Sequence, residues 1–240
     1  MKIALIGYGK MGKAIESLMA PRGHDAILKI DDKNRPGLTA AQLSEAAVAI
    51  EFTGPESAVE NLLLCRDAGI PVVCGSTGWL KEWDHVKAAF ESSQGTLLYA
   101  SNFSVGVNIF FALNRRLAEL MDAHPEYDLR LTEIHHTAKR DAPSGTAITL
   151  AEDVLRKVGR KKQWVNHPSD NPQELAILSE RIDPAPGTHK VLYHSDIDDI
   201  EIIHTAHSRM GFALGALLAA EFIHGKKGIF TMQDVLGLKP

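Results

Sequence analysis

The strongest constraint on the fold is an apolar run at 2–6, KIALI, that stops at Gly7-Tyr8-Gly9-Lys10-Met11-Gly12 and passes directly into a helical pattern. A strand, a glycine turn and a helix in that order open a βαβ unit, which needs a parallel partner strand. The texture then repeats. Short β-branched runs recur at 26–30, 47–52, 71–74 and 96–99, separated by helical stretches at 11–19, 56–68 and 80–91 that each begin near a glycine, proline or acidic residue. The expectation is an α/β protein in which residues 1–104 form a Rossmann-type dinucleotide-binding domain on a mainly parallel sheet.

In open α/β sheets ligands sit beyond the carboxyl ends of the strands. The loops at 7–12, Asp31-Asp32, Thr53-Gly54, Gly75-Ser76-Thr77 and Ser101-Asn102 should therefore converge. Gly7 permits the tight turn out of the strand, Gly9 lets backbone approach a pyrophosphate, and Gly12 lets the helix pack closely, with Tyr8, Lys10 and Met11 completing the loop. Asp31, followed by Asp32, stands where the fingerprint wants an acid for the adenine ribose hydroxyls, which favours NADH and repels a 2′-phosphate. Lys29, Lys33 and Arg35 are placed to swing toward that phosphate, so NADH and NADPH both stay open.

After Asn102 the pattern changes. A long helical run at 105–121 leads into strand-like runs at 128–135, 174–182, 189–194 and 199–207, with one clear helix at 145–158. This predicts a second, α+β domain over 105–208 with a mixed or antiparallel sheet, and helices at 212–224 and 231–236 that return residues 209–240 to the first domain. A net charge of −4 gives no reason to expect nucleic acid. Cys65 and Cys74 are too few and wrongly spaced for a disulfide framework or zinc knuckle. With no signal-peptide pattern and no apolar run of membrane-spanning length, a cytoplasmic protein is expected.

The chemistry concentrates between 133 and 147, EIHHTAKRDAPSGTA. His135 and His136 end a strand pattern and should point to opposite faces. Lys139 follows in a loop, and Ser144 should cap the next helix, its hydroxyl joining the N–H groups of Gly145 and Thr146 in an anion socket. Imidazole donates a proton near neutral pH, and ammonium pairs an anion. Together these groups suit a small acidic substrate.

This HHxxK run with DAPSGTA is similar to the signature of the 4-hydroxy-tetrahydrodipicolinate (dihydrodipicolinate) reductase family of lysine and diaminopimelate biosynthesis. The likeness extends to the glycine loop, Glu51-Phe52-Thr53, Gly75-Ser76-Thr77-Gly78, Asn102-Phe103-Ser104 and Ser208-Arg209-Met210. The resemblance implies reduction of a cyclic dicarboxylate imine-type substrate by NADH or NADPH, in a homotetramer whose substrate-domain sheets associate. It makes His135 the proton donor and Lys139 the second catalytic or substrate-orienting group. His136, Ser144, Gly145 and Thr146 become the carboxylate-binding set. Gly75, Ser76, Thr77, Ala100, Ser101, Asn102 and Phe103 become the nicotinamide-side contacts.

Two other readings compete. Another two-domain dehydrogenase of a small acid or semialdehyde would share the glycine loop but would have no use for HHxxK with SGTA. A non-catalytic NAD(H) sensor would need a DNA-reading helix or partner domain, and none is evident. His189, His194, His204 and His207 invite a metal, but their spacing matches no ligand frame and strand alternation should scatter them, so no metal is expected.

Overall fold

A computed structural model describes residues 1–238. In chain order the elements are β1 (Lys2–Ile6), α1 (Lys10–Met19), β2 (Asp25–Ile30), α2 (Ala40–Leu43), β3 (Val48–Glu51), α3 (Pro55–Asp67), β4 (Val72–Cys74), α4 (Trp83–Ser92) and β5 (Thr96–Tyr99). There follow α5 (Val105–Met121), β6 (Asp128–His135), α6 (Gly145–Leu155), β7 (Gln163–Val165), β8 (Glu174–Arg181), β9 (Thr188–His194) and β10 (Asp199–Thr205). The last are α7 (Met210–Ile223), β11 (Gly228–Phe230) and α8 (Met232–Leu236). The chain divides into two compact units, Met1–Val105 with the stretch from Arg209 onward, and Gly106–Ser208.

The first unit holds a six-stranded sheet in the order β11-β5-β4-β3-β1-β2, with every pairing parallel. Ile3, Ala4, Leu5 and Ile6 of β1 are all buried, because helices cover both faces of such a sheet. On one face α3 and α4 bring Ala58, Leu62, Cys65 and Phe90 against Ala4, Ile6, Ala49, Val72 and Leu97. On the other, α1 and α7 bring Ile15, Met19, Ala216, Leu217 and Ala220 against Ile3, Leu5, Ile50, Val73 and Leu98. Helix α7 is apolar on nearly every side, the composition of a buried helix. It runs so close to the chain that a Cβ on Gly215 would lie 1.7 Å from the Phe103 carbonyl oxygen. Truncation of Leu217 to Ala in this layer should cost about 2–5 kcal/mol.

The second unit holds a five-stranded sheet in the order β10-β9-β6-β8-β7. It is mixed: β8 pairs parallel with β6 and β7, whereas β9 pairs antiparallel with β6 and β10. Central β6 alternates strictly, so Leu129, Leu131, Glu133 and His135 are buried along one face. Leu129 and Leu131 pack with Phe110, Met121, Leu150, Val154, Ile177, Val191 and Tyr193. Glu133 and His135 continue that inward row toward the end of the strand.

The expected α/β class, Rossmann-type first sheet and mixed second sheet are all present. Local boundaries differ where end effects compete with pattern. Residues 80–91 are a short 3₁₀ turn, Leu80–Glu82, followed by α4. Helix α6 stops at Leu155 and not at 158, because Lys157 N–H already reaches back three residues to Val154 O and Asp122 Oδ1 takes Gly159 N–H. Strand β10 ends at Thr205 and not at 207. The short elements α2, β7 and β11 had no sequence counterpart. Among the described residues no helix is long and apolar enough to cross a membrane.

Candidate active site

Strand pairing assembles the polar centre of the second unit. The register sets Glu133 of β6 between Ser179 of β8 and His189 of β9, and sets His135 beside Arg181. The Glu133 carboxylate is fully buried. It accepts the Ser144 N–H at 3.1 Å on both oxygens, the Ser179 hydroxyl at 2.8 Å and Arg181 Nη2 at 3.2 Å. His135 Nδ1 stands 3.4 Å from Glu133 Oε2, and His189 Nε2 stands 3.8 Å from the same oxygen. The two imidazoles meet edge to face with centroids 5.0 Å apart.

Ser144 is the N-cap of α6, its hydroxyl accepting the Ala147 N–H at 3.2 Å, with His189 Nε2 also 3.2 Å away. The Ser144 oxygen thus caps its own helix from a buried position, while the first-turn amides of exposed Gly145 and half-buried Thr146 stand open beside it. His135 is buried and His136 partly exposed, as strand alternation demands. Lys139 Nζ donates to both oxygens of Asp141, at 2.9 and 2.8 Å, and Arg181 Nη2 binds the Asp141 carbonyl at 2.6 Å.

The charges are tuned by this packing. Burial pushes the His135 imidazole below its ordinary value; Glu133 pulls it back up, while Lys139 and Arg181 push it further down. His189 is pushed down to about 4, by burial first and then by His135. Burial drives the Glu133 carboxyl up, but the donors from Ser144, Ser179 and Arg181 together outweigh it and hold the group below its usual range. Ligand atoms of Glu133, His135 and His189 lie within 4.8 Å of one another, donor types that suit a transition metal. Here the carboxylate is already matched by Arg181 and the Ser144 N–H, so an added cation would meet a neutralised site and a guanidinium.

In the first unit the strand ends form two adjoining cavities. One of about 420 Å³ is lined by Gly7, Gly9, Lys10, Met11, Phe52, Thr53, Gly54, Pro55, Gly75, Ser76 and Thr77. The other, of about 170 Å³, is lined by Asp31, Asp32, Arg35, Pro36, Ser57 and Asn61, and shares Gly7 and Thr53 with the first. The glycine loop fits a dinucleotide. Gly7 has φ of +97° and a Cβ there would fall 2.0 Å from Phe52 O, whereas a Cβ on Gly9 would enter open space where a pyrophosphate needs to approach. Asp31 Oδ1 is fixed by the Lys33 and Asn34 N–H groups at 2.9 and 3.3 Å. Tyr8 turns from the cavity to donate to Glu16, and Gly12 is buried under Gly7. Ala100, Ser101, Asn102 and Phe103 follow β5 outside the residues lining either cavity, with Phe103 packed on Phe52 at 5.4 Å.

Comparison with known proteins places this geometry. The model of the dihydrodipicolinate reductase N-terminus matches residues 1–103, and that of the dihydrodipicolinate reductase C-terminus matches residues 106–236. A 4-hydroxy-tetrahydrodipicolinate reductase from Christiangramia forsetii is 46% identical over 238 residues, covering 98% of each chain. The chain belongs to the dihydrodipicolinate reductase family. An enzyme of the same name from Methanosarcina barkeri is 37% identical over 83% of this chain and 76% of its own length. Among solved structures, the dipicolinate-bound dihydrodipicolinate reductase from Paenisporosarcina sp. TG-14 superposes with a TM-score of 0.77 over 98% of both chains at 21% identity, a likeness of fold.

Among the described residues, the two carboxylates with no solvent exposure at all carried no role in the sequence reading. One is Glu133. The other is Glu51, fully buried at the end of β3, which accepts the Thr53 N–H at 3.1 Å, the Ser76 hydroxyl at 3.0 Å, the Asn61 amide at 3.4 Å, the Cys74 thiol at 3.2 Å and the Thr53 hydroxyl. It thereby ties the Thr53-Gly54 turn ahead of α3 to the 75–77 loop, both of which line the larger cavity. The available signal was a charged residue at an inward strand position, which has to be explained by partners from elsewhere.

Proposed function

We propose that this member of the family reduces 4-hydroxy-tetrahydrodipicolinate to tetrahydrodipicolinate in lysine and diaminopimelate biosynthesis, with His135 as proton donor and NADH as preferred reductant. The observation that carries the donor assignment is the packing of His135 against a buried carboxylate, one strand pairing from Arg181 and one loop from a helix start. A cyclic dicarboxylate needs fixed donors for two anionic ends. The first-turn amides of Gly145 and Thr146, His136 and the Lys139 ammonium provide them, Lys139 exchanging Asp141 for a substrate carboxylate. The dipicolinate held by the Paenisporosarcina relative is a ligand of the same class. Loss of the 4-hydroxyl and an adjacent ring proton as water leaves a conjugated ring, to which the nicotinamide, when bound, would supply a hydride. The resulting enamine must take up a proton, and the imidazolium of His135 gives it. Lys139 stabilises the negative charge that develops meanwhile.

The cofactor preference follows from which cations are committed. Lys29 is paired with Glu16 and lies 5.5 Å over the Tyr8 ring, and Arg35 is held by Asn61 and, at 3.0 Å, by Glu60. Asp31 and Asp32 line the ribose end. A 2′-phosphate would meet carboxylates there and would have to draw Lys29 or Arg35 from existing partners, leaving exposed Lys33 as the cation most easily turned to it. Free, buried cysteines suit a reducing cytoplasm. A homotetramer through the second sheet is supported by β10, an edge strand exposed along most of its length with Ile203 half-exposed.

His135→Gln and Lys139→Ala should each cut turnover severely while NADH binding survives. Normal turnover in both would overturn the site assignment.

A further inference from the structure

We propose that Glu133 is a positioning residue for the reduction, its buried carboxylate holding His135, Arg181 and the Ser144 amide in one frame. The inference rests on His135 being the proton donor.

The position itself is the first argument. Glu133 follows Leu129 and Leu131 on the inward row of β6 and, like them, is shielded from solvent. A third leucine would serve the core at lower cost, since burying a charge repays its desolvation only with well-placed partners. Glu133 has those partners from three directions. Ser179 and Arg181 come from β8, His189 from β9 and the Ser144 N–H from the start of α6. One side chain thus links the imidazole to the helix start expected to hold substrate.

The second argument concerns which nitrogen gives up the proton. Nδ1 of His135 faces Glu133 at 3.4 Å, buried and short of a full hydrogen bond, a separation that tightens when the ring is charged. With Nδ1 committed to the carboxylate, Nε2 is the atom left to serve the substrate. Gly187, at φ of +151°, keeps that edge open, because a Cβ there would stand 3.2 Å from Nε2. The groups around the ring fall into two sets. Lys139 and Arg181 disfavour the imidazolium, as does burial, and Glu133 and Asp141 favour it, while the neighbouring His189, pushed down to about 4, stands by as a neutral ring. Removing Glu133 leaves Arg181 facing the ring without its partner.

The test is the pH profile of kcat/KM for Glu133→Gln, which keeps the shape and an acceptor oxygen but removes the charge. The limb along which activity falls with rising pH should move to lower pH. Each unit of movement costs a further factor of about ten at pH 8 relative to the plateau. The NADH dissociation constant should be unchanged. Arg181→Gln should move the limb the other way, to higher pH, and stands in if Glu133→Gln does not fold. A merely structural role would lower activity evenly across pH. Limbs that coincide with the wild type in every variant that folds would overturn the proposal. His135→Gln separates the two claims: if its residual activity keeps the same limb, the donor assignment has failed and the role of Glu133 falls with it, whereas a limb lost in His135→Gln but unmoved in Glu133→Gln and Arg181→Gln overturns the role of Glu133 alone.

Discussion

His189 should make the second unit acid-labile within a defined pH window. It is buried at 6% exposure, and its folded value of about 4 lies well below the ordinary value of 6.5. Between those values the unfolded chain binds a proton that the folded chain refuses, so stability rises with pH across the window and is lost as pH falls through it. At about 1.36 kcal/mol per unit, the loss from this one residue is about 2 kcal/mol between pH 7 and pH 5, and about 3 kcal/mol by pH 4. Below that the folded state also protonates and the loss stops growing. The assay is urea denaturation of wild type and His189→Gln at both pH values, comparing the difference of differences so that titrating groups not coupled to His189 cancel. The wild type should lose about 2 kcal/mol more than the variant on going from pH 7 to pH 5. Equal losses would mean that His189 is hydrated or charged in the folded state, and the description of the polar centre would be wrong.

Asp31→Ala should narrow the preference for NADH over NADPH, read as the ratio of the two kcat/KM values; an unchanged ratio would remove Asp31 from ribose recognition. Glu51→Gln turns an amide toward donors that expect a carboxylate, so it should lower stability by about 1–3 kcal/mol and weaken NADH binding in a direct titration. Ser144→Ala removes the cap of α6, worth about 1 kcal/mol and seen as a fall of about 2–4 °C in Tm, with a raised KM for substrate.

The first sheet was legible because its strands carry the information locally. KIALI and TLLY are apolar on both faces, and the glycine loop fixes what must follow the first of them. Segments of three or four residues, such as β7, β11 and α2, are too short to show a period. The polar centre was half legible. His135, His136, Lys139 and Ser144 lie within one stretch, so their clustering is written in the order of residues. Their hub is not, because His189 and Arg181 reach Glu133 through the β9 and β8 registers, 56 and 48 residues further along the chain. The histidine run at 189–207 illustrates the point. His194 pairs with Asp199 at the surface and His204 stacks near Phe110, while His189 alone of these three joins the centre. Cation commitment at the ribose end was equally hidden, since the Glu16–Lys29 and Arg35–Asn61 pairs exist only once α1 and α3 are packed.

The most direct test of the central claim is oxidation of NADH and of NADPH, followed separately, with substrate generated in place from pyruvate and aspartate semialdehyde by the preceding synthase. Rapid oxidation that depends on substrate, faster with NADH and severely reduced in His135→Gln, is the expected result. Tight NADH binding without substrate-dependent oxidation would contradict the account.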